Sequence, residues 1–204
     1  MFAEWSAECS AEDPVLVVPW KDPGGLAEFI DLRANPYDLH RIPEAEQHQP
    51  LMQALRALNA TRSPVFTAKC DAWPLTPDEL GPLRFNLDLA PADAPAGFAS
   101  YIDLIWRERS VFTSFHQQEQ ILHRLTRHAA LLDRPYAALD CVVRPALVDL
   151  DGPQEGYALS LYVKALGADP QAACDEWAAA LNAVTALLRG KDLARATGPK
   201  ARAG

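Results

Sequence analysis

The chain has 204 residues, 49% hydrophobic and 23% charged, with 17 prolines against 10 glycines. That apolar fraction excludes wholesale disorder and a fibrous repeat. Nineteen basic against 27 acidic side chains give a net charge of −8, the wrong sign for a dedicated nucleic-acid binder.

In chain order, residues 1–13 (MFAEWSAECSAED) have neither a basic segment nor an apolar one, so they do not read as a secretory signal. They are expected to form an N-terminal arm. The apolar run Val15–Val18 suits a central strand. Gly25–Leu32 (GLAEFIDL) follows Asp22-Pro23 and is read as a helix, and Pro50–Asn59 is a second one, striped by Leu51, Leu55 and Leu58.

Val65–Pro74 alternates as a strand, with Phe66, Ala68, Cys70 and Ala72 on one side and Thr67, Lys69, Asp71 and Trp73 on the other. Leu83–Leu89 alternates too, with Leu83, Phe85, Leu87 and Leu89 inward and Arg84, Asn86 and Asp88 outward. Gly97–Leu104 (GFASYIDL) follows Asp93-x-Pro95 and is read as a helix, although Ile102 and Leu104 also fit a strand.

A helical stripe then runs through Phe115, Leu122, Leu125, Ala129 and Leu132 behind a capping-box pair, Ser114 and Gln117. Tyr136–Pro145 alternates Ala137, Leu139, Cys141 and Val143 against Asp140, Val142 and Arg144. The polar link 149–156 reads as a hairpin loop into the strand Tyr157–Ala165, which carries Leu159, Leu161 and Val163. Asp169-Pro170 opens a last helix striped by Trp177, Leu181, Val184 and Leu188, and Gly190 stops it. Residues 190–204, rich in Ala, Gly and basic side chains, read as a flexible tail.

GLAEFIDL and GFASYIDL share Gly, Ala, Ile, Asp and Leu in register, and Pro64, Cys70 and Pro74 lie over Pro135, Cys141 and Pro145. This points to an internal repeat, about 15–75 and 86–146. The fold expected is α+β: a duplicated, ferredoxin-like βαβ with split crossover helices and an added C-terminal strand and helix. It has a five-stranded, mostly antiparallel sheet with all helices on one face, in a single domain over residues 14–189.

Four cysteines (Cys9, Cys70, Cys141 and Cys174) form no C-x-x-C pair, which argues against a zinc ribbon, a thioredoxin motif or a disulfide framework and points to the cytoplasm. Cys70 and Cys141 fall on apolar strand faces, where a thiol is core filler. His116, Glu119 and His123 share a helix face, but Arg124 and Arg127 beside them oppose a cation, so that face is read as solvated and no metal is expected. There is no G-x-S-x-G, P-loop, G-x-G-x-x-G or H-E-x-x-H motif, and no cofactor is expected.

The remaining chemistry lies on the outward sheet face. Lys69, Asp71, Trp73, Asp88, Asp140, Arg144 and Tyr162 are the candidate binding residues, with Thr67, Ser160 and Lys164 beside them. Carboxylates and cations on an antiparallel face are commonly just solvated, but Trp and Tyr among charges are also the residue types that anchor protein interfaces. The first functional reading is therefore a non-catalytic binding module, for a basic protein partner or for its own copy as a homodimer. Asp31 and Asp103, in the matched octapeptides, could contribute. The alternative is a small enzyme with Asp71 or Asp140 as general base and Lys69 or Arg144 stabilising an anion. A concave pocket would separate the two. Neither nucleic acid nor a membrane is expected as partner.

Overall fold

The computed structural model describes residues 1–25 and 27–190; the expected tail from residue 191 onward lies outside them. The architecture is α+β, an open, mixed, six-stranded sheet with seven helices among the described residues, one of them a 3-10 helix over Pro36–Arg41. The strands are β1 (Phe2–Ala7), β2 (Leu16–Val18), β3 (Val65–Pro74), β4 (Ala96–Trp106), β5 (Ala137–Asp149) and β6 (Pro153–Gly167). The helices are α1 (Pro43–Gln47), α2 (Gln49–Asn59), α3 (Pro77–Leu87), α4 (Arg109–Phe112), α5 (Phe115–Ala130) and α6 (Pro170–Arg189).

The sheet order is β1-β5-β6-β4-β3, and β2 follows β1 along the same edge of β5. β1 and β2 run parallel to β5, while the other neighbours are antiparallel. β4 and β5 are therefore parallel, joined through α4 and α5, with β6 between them: a split βαβ unit.

The inner face is covered by α2, α5 and α6. The cap and stripe of α6 form as expected. Asp169 accepts from the Ala172 N–H at 2.8 Å, and Trp177, Leu181, Val184 and Leu188 are all buried. Each is worth about 1.5–3 kcal/mol of burial. The Trp177 indole N–H donates to Ser100 Oγ at 2.9 Å, tying α6 to β4. Asn59 ends α2 by donating to Thr67 Oγ1 at 2.7 Å and accepting from the Thr67 N–H at 3.1 Å, which ties α2 to β3.

Several expectations need correction. The sheet has six strands rather than five, because the arm at 1–13 contains β1, whose backbone is satisfied by β5. The run at 15–18 forms β2, which pairs with β5 at the sheet edge rather than in its centre. Gly97–Leu104 lies in β4, flanked by β3 and β6 and buried on both faces; that two-sided burial erases alternation and imitates a helix. In its match, the described residues 27–32 form neither helix nor strand, and Glu28 makes an isolated bridge with Lys21. Leu83–Leu89 is not a strand: Leu83 and Phe85 belong to α3, which starts at a full capping box of Thr76 and Glu79. The two halves thus build different elements, and the duplicated βαβ is not what this backbone draws. Nor are the helices confined to one face. Leu80 and Leu83 of α3 pack with Phe2, Ala138 and Leu166, which alternate with the inner-face residues and so lie on the outer side.

Candidate functional site

The outer face owes its pattern to a bulge in β3 between Thr67 and Lys69. A bulge reverses the alternation of a strand. Thr67 therefore opposes Leu104 on the inner side and Phe66 opposes Ile105 on the outer side, the reverse of the sequence expectation for both. Beyond the bulge the expected phase holds. The freed Ala68 carbonyl accepts the Trp20 indole N–H at 2.8 Å.

The register then lays out three rows across the sheet. Asp71, Tyr101, Tyr162, Asp140 and Glu4 form the central one. Lys69, Asp103, Ser160 and Val142 lie on one side of it, and Trp73, Ala99, Lys164 and Ala138 on the other. Of the seven candidate residues, Lys69, Asp71, Trp73, Asp140, Arg144 and Tyr162 share this face. Asp88 does not: it caps α3 in the left-handed region, with φ 54°.

Most of the charges are mutually engaged. Lys164 Nζ donates to Asp140 at 2.6 Å. Arg144 donates to Glu8 at 2.9 Å and to the Tyr162 hydroxyl at 3.2 Å, and its guanidinium also lies 6.0 Å from the Tyr162 ring centre. Ser160 Oγ donates to Asp103 Oδ1. The rings of Trp73, Tyr101 and Tyr162 follow one another at 6.2 and 5.9 Å between centres. The Trp73 indole N–H reaches Glu79 at 3.1 Å, joining the row to α3.

Burial dominates the electrostatics. It raises the Asp103 carboxyl above the ordinary aspartate range, although the Ser160 hydrogen bond, Arg144 and Lys69 oppose it. The Tyr101 phenol is raised by burial and by Asp103 and Asp71. Burial pulls the Arg144 guanidinium down, but Tyr162 and Glu8 outweigh it and leave it raised. The Cys70 thiol is pushed up to about 12 by burial and by Glu44, and Cys141, fully buried, is raised by burial, as core cysteines are.

On the β3 side the rows open into a cleft of about 880 Å³, lined by Val15, Val17, Trp20, Lys69, Asp71 and Tyr101 among others. Lys69 Nζ lies 5.3 Å from the Trp20 ring centre. Asp140, Arg144 and Tyr162 lie outside the cleft, so the candidate residues divide between an engaged group and an open one. The Ser160–Asp103 pair resembles half of a nucleophile system, but at 1% and 6% exposure neither atom can meet a substrate.

Four members of the site escaped the sequence reading. In sequence, Tyr101 falls in an expected helix, Trp20 in no element, and Glu4 and Glu8 in the arm; only the alternation of Tyr101, Asp103 and Ile105 carries a signal. His123 is exposed on its helix face, as expected, and makes one contact there. The Trp5 indole N–H donates to its Nδ1 at 3.3 Å, with the rings edge to face at 5.0 Å.

Among the described residues, no helix is long and apolar enough to cross a membrane, and no group of three or more His, Cys, Asp or Glu is placed to hold a metal. Compared with models of protein families, with curated proteins and with solved structures, the chain matches none of them.

Proposed function

We propose that the protein is a non-catalytic binding module that holds a basic, partly apolar segment of a partner protein on its outer sheet face. The observation that carries this reading is the aromatic row Trp73–Tyr101–Tyr162, flanked by Asp71 and Asp140 and opening into the 880 Å³ cleft beside Trp20. Aromatic rings give large contact area for little loss of freedom, and carboxylates around them select a cationic segment. The excess of 27 acidic over 19 basic residues would steer such a partner inward. Pre-paired charges support binding rather than catalysis, since Asp140 is held by Lys164 and Arg144 by Glu8. Four free cysteines with no disulfide between them support a cytoplasmic setting.

The test is selection of peptides from a random display library at low salt. Enriched peptides should combine Lys or Arg with an aromatic or aliphatic residue, and their affinity should fall as salt rises. Trp73→Ala and Tyr101→Ala should each weaken binding by about 1–2 kcal/mol. Peptides indifferent to both substitutions would overturn the proposal, and indifference to salt would remove its electrostatic part. Salt-dependent self-association in sedimentation, lost in the same variants, would make a second copy the partner.

A second reading is favoured by one observation: Lys69 and Asp71 line the same cleft, so a small enzyme would use Asp71 as base and Lys69 to stabilise an anion. Here Asp71→Asn would abolish turnover of a small substrate, whereas in a binding module it would only weaken capture of the cationic segment.

A further inference from the structure

The phase reversal in β3 has a second result, at the other end of the outer face. It turns Phe66 outward, where two guanidinium groups meet over one ring. Arg33 Cζ lies 4.4 Å from the Phe66 centre and Arg107 Cζ lies 5.8 Å from it. Arg33 is neutralised by Asp31, which takes its Nε at 2.9 Å and its Nη2 at 2.8 Å. Arg107 has no carboxylate among the described residues. It donates to the main-chain carbonyls of Val65 and Asn59, both at 3.0 Å, which fixes its plane and leaves Nη1 unspent.

Partial burial and the charge of Arg33 hold the Arg107 guanidinium below its ordinary range. Asp31 pairs with Arg33 alone, so the Arg107 charge has no ion-pair partner among the described residues, and an added anion would relieve it. Beside them is a cleft of about 310 Å³ lined by Arg33, Phe66, Trp106, Arg107 and Arg109, with Asp151 the one carboxylate on its wall. Trp106, only 6% exposed, lines the same cleft, and its buried indole N–H has no acceptor. A smaller cavity of about 150 Å³ on the other side also has Arg33 and Arg107 in its wall, and adds Arg56. A locally cationic, donor-rich recess in a chain of net charge −8 is out of character with the rest of the surface.

We propose that this recess binds a phosphate group, free or as the monoester of a small molecule, between Arg33, Arg107 and Arg109. Planar guanidinium forks match the oxygens of a phosphate, and the unspent N–H groups of Arg33, Arg107 and Arg109 together favour a tetrahedral dianion over a halide. The cleft has the volume of a small-ligand site. This proposal stands apart from the binding strip and does not depend on it.

Titration calorimetry with inorganic phosphate and with glycerol phosphate, at constant ionic strength held by chloride, tests it. Saturable binding of one or both probes is expected, and which of them binds tighter distinguishes a free ion from an ester. Arg109→Glu, at an exposed position, should weaken it at least about tenfold, and Arg107→Lys by a comparable factor. Arg127→Glu, on the distant helix α5, should change it less than about twofold. No saturable heat from either probe up to about 10 mM would overturn the proposal. Equal binding by wild type and Arg109→Glu would do the same, as would equal competition by chloride. If Arg107→Lys does not fold, Arg109→Glu decides alone.

Discussion

Asp31 and Asp103 hold the same seventh place in two octapeptide stretches that share five residues, yet the protein treats them in opposite ways. Asp31 sits in a loop, and its carboxyl is held below the usual range by the Arg33 side chain, with burial opposing. Asp103 sits in β4 with two strands beside it, and burial raises its carboxyl. The same Ile-Asp-Leu ends in an ion pair in one place and in a desolvated acid in the other. What surrounds a segment, more than what it is made of, sets its shape and its charge.

The contrast can be broken most severely at the isoleucines. Ile102 is 1% exposed between β3 and β6, whereas Ile30 is only half-buried in its loop. Ile102→Ala should cost about 2–5 kcal/mol in urea unfolding and Ile30→Ala under about 1 kcal/mol. Equal losses would mean that the loop is as tightly packed as the strand.

The glycines come next, since the two are required for different reasons. A Cβ on Gly97 would come within 2.7 Å of the methyl ends of Leu75 and Leu80, which must shift to admit it, so Gly97→Ala should cost about 1 kcal/mol through overpacking. Gly25 has open space around it but φ +71°, so Gly25→Ala should cost about 1 kcal/mol through backbone strain alone. Gly25→Asn, which tolerates that region, should recover part of the loss. The same rescue attempted at Gly97 should make matters worse.

The smallest effects are those of pH, and they carry opposite signs. Below about pH 3.9 the Asp103 side chain is protonated in both the folded and the unfolded chain. As pH rises the unfolded chain ionises first, so stability falls until the folded carboxyl ionises as well. Asp31 contributes stability above the free-aspartate range and loses it as pH drops through its lowered value. Urea midpoints measured across this range should show Asp103→Asn flattening the decline on the neutral side. Asp31→Asn should flatten the loss on the acid side. Identical profiles for the two variants would erase the distinction between the sites.

What could be read in the residues alone follows the same division. α6 was legible from Asp169-Pro170, its stripe and Gly190 because caps and periods are local. The strands around Cys141 and Leu161 were legible because one side is apolar and the other charged. Leu83, Phe85, Leu87 and Leu89 imitate a strand, but Phe85 is 87% exposed and Leu83 is buried beneath α3. Pro77 and the Thr76–Glu79 box were the signals for that helix. β1 alternates Ala3, Trp5 and Ala7 against Glu4 and Ser6, but over only six residues, and its pairing is with residues more than a hundred positions away. The outer face was recovered where alternation was clean, and lost at Asp88 and Thr67, where a helix cap and a bulge intervene.

The position of β6 has a consequence for synthesis on the ribosome. Among the described residues, β6 is the only strand joining β3 and β4 to β5 and the strands beyond it. Until residues 153–167 leave the exit tunnel, the nascent chain holds two strand groups with no backbone contact between them. Each exposes a long hydrogen-bonding rim of the kind that captures neighbouring polypeptides. A ribosome stalled before that segment emerges should therefore carry a nascent chain that binds holdase chaperones and is readily cut by added protease.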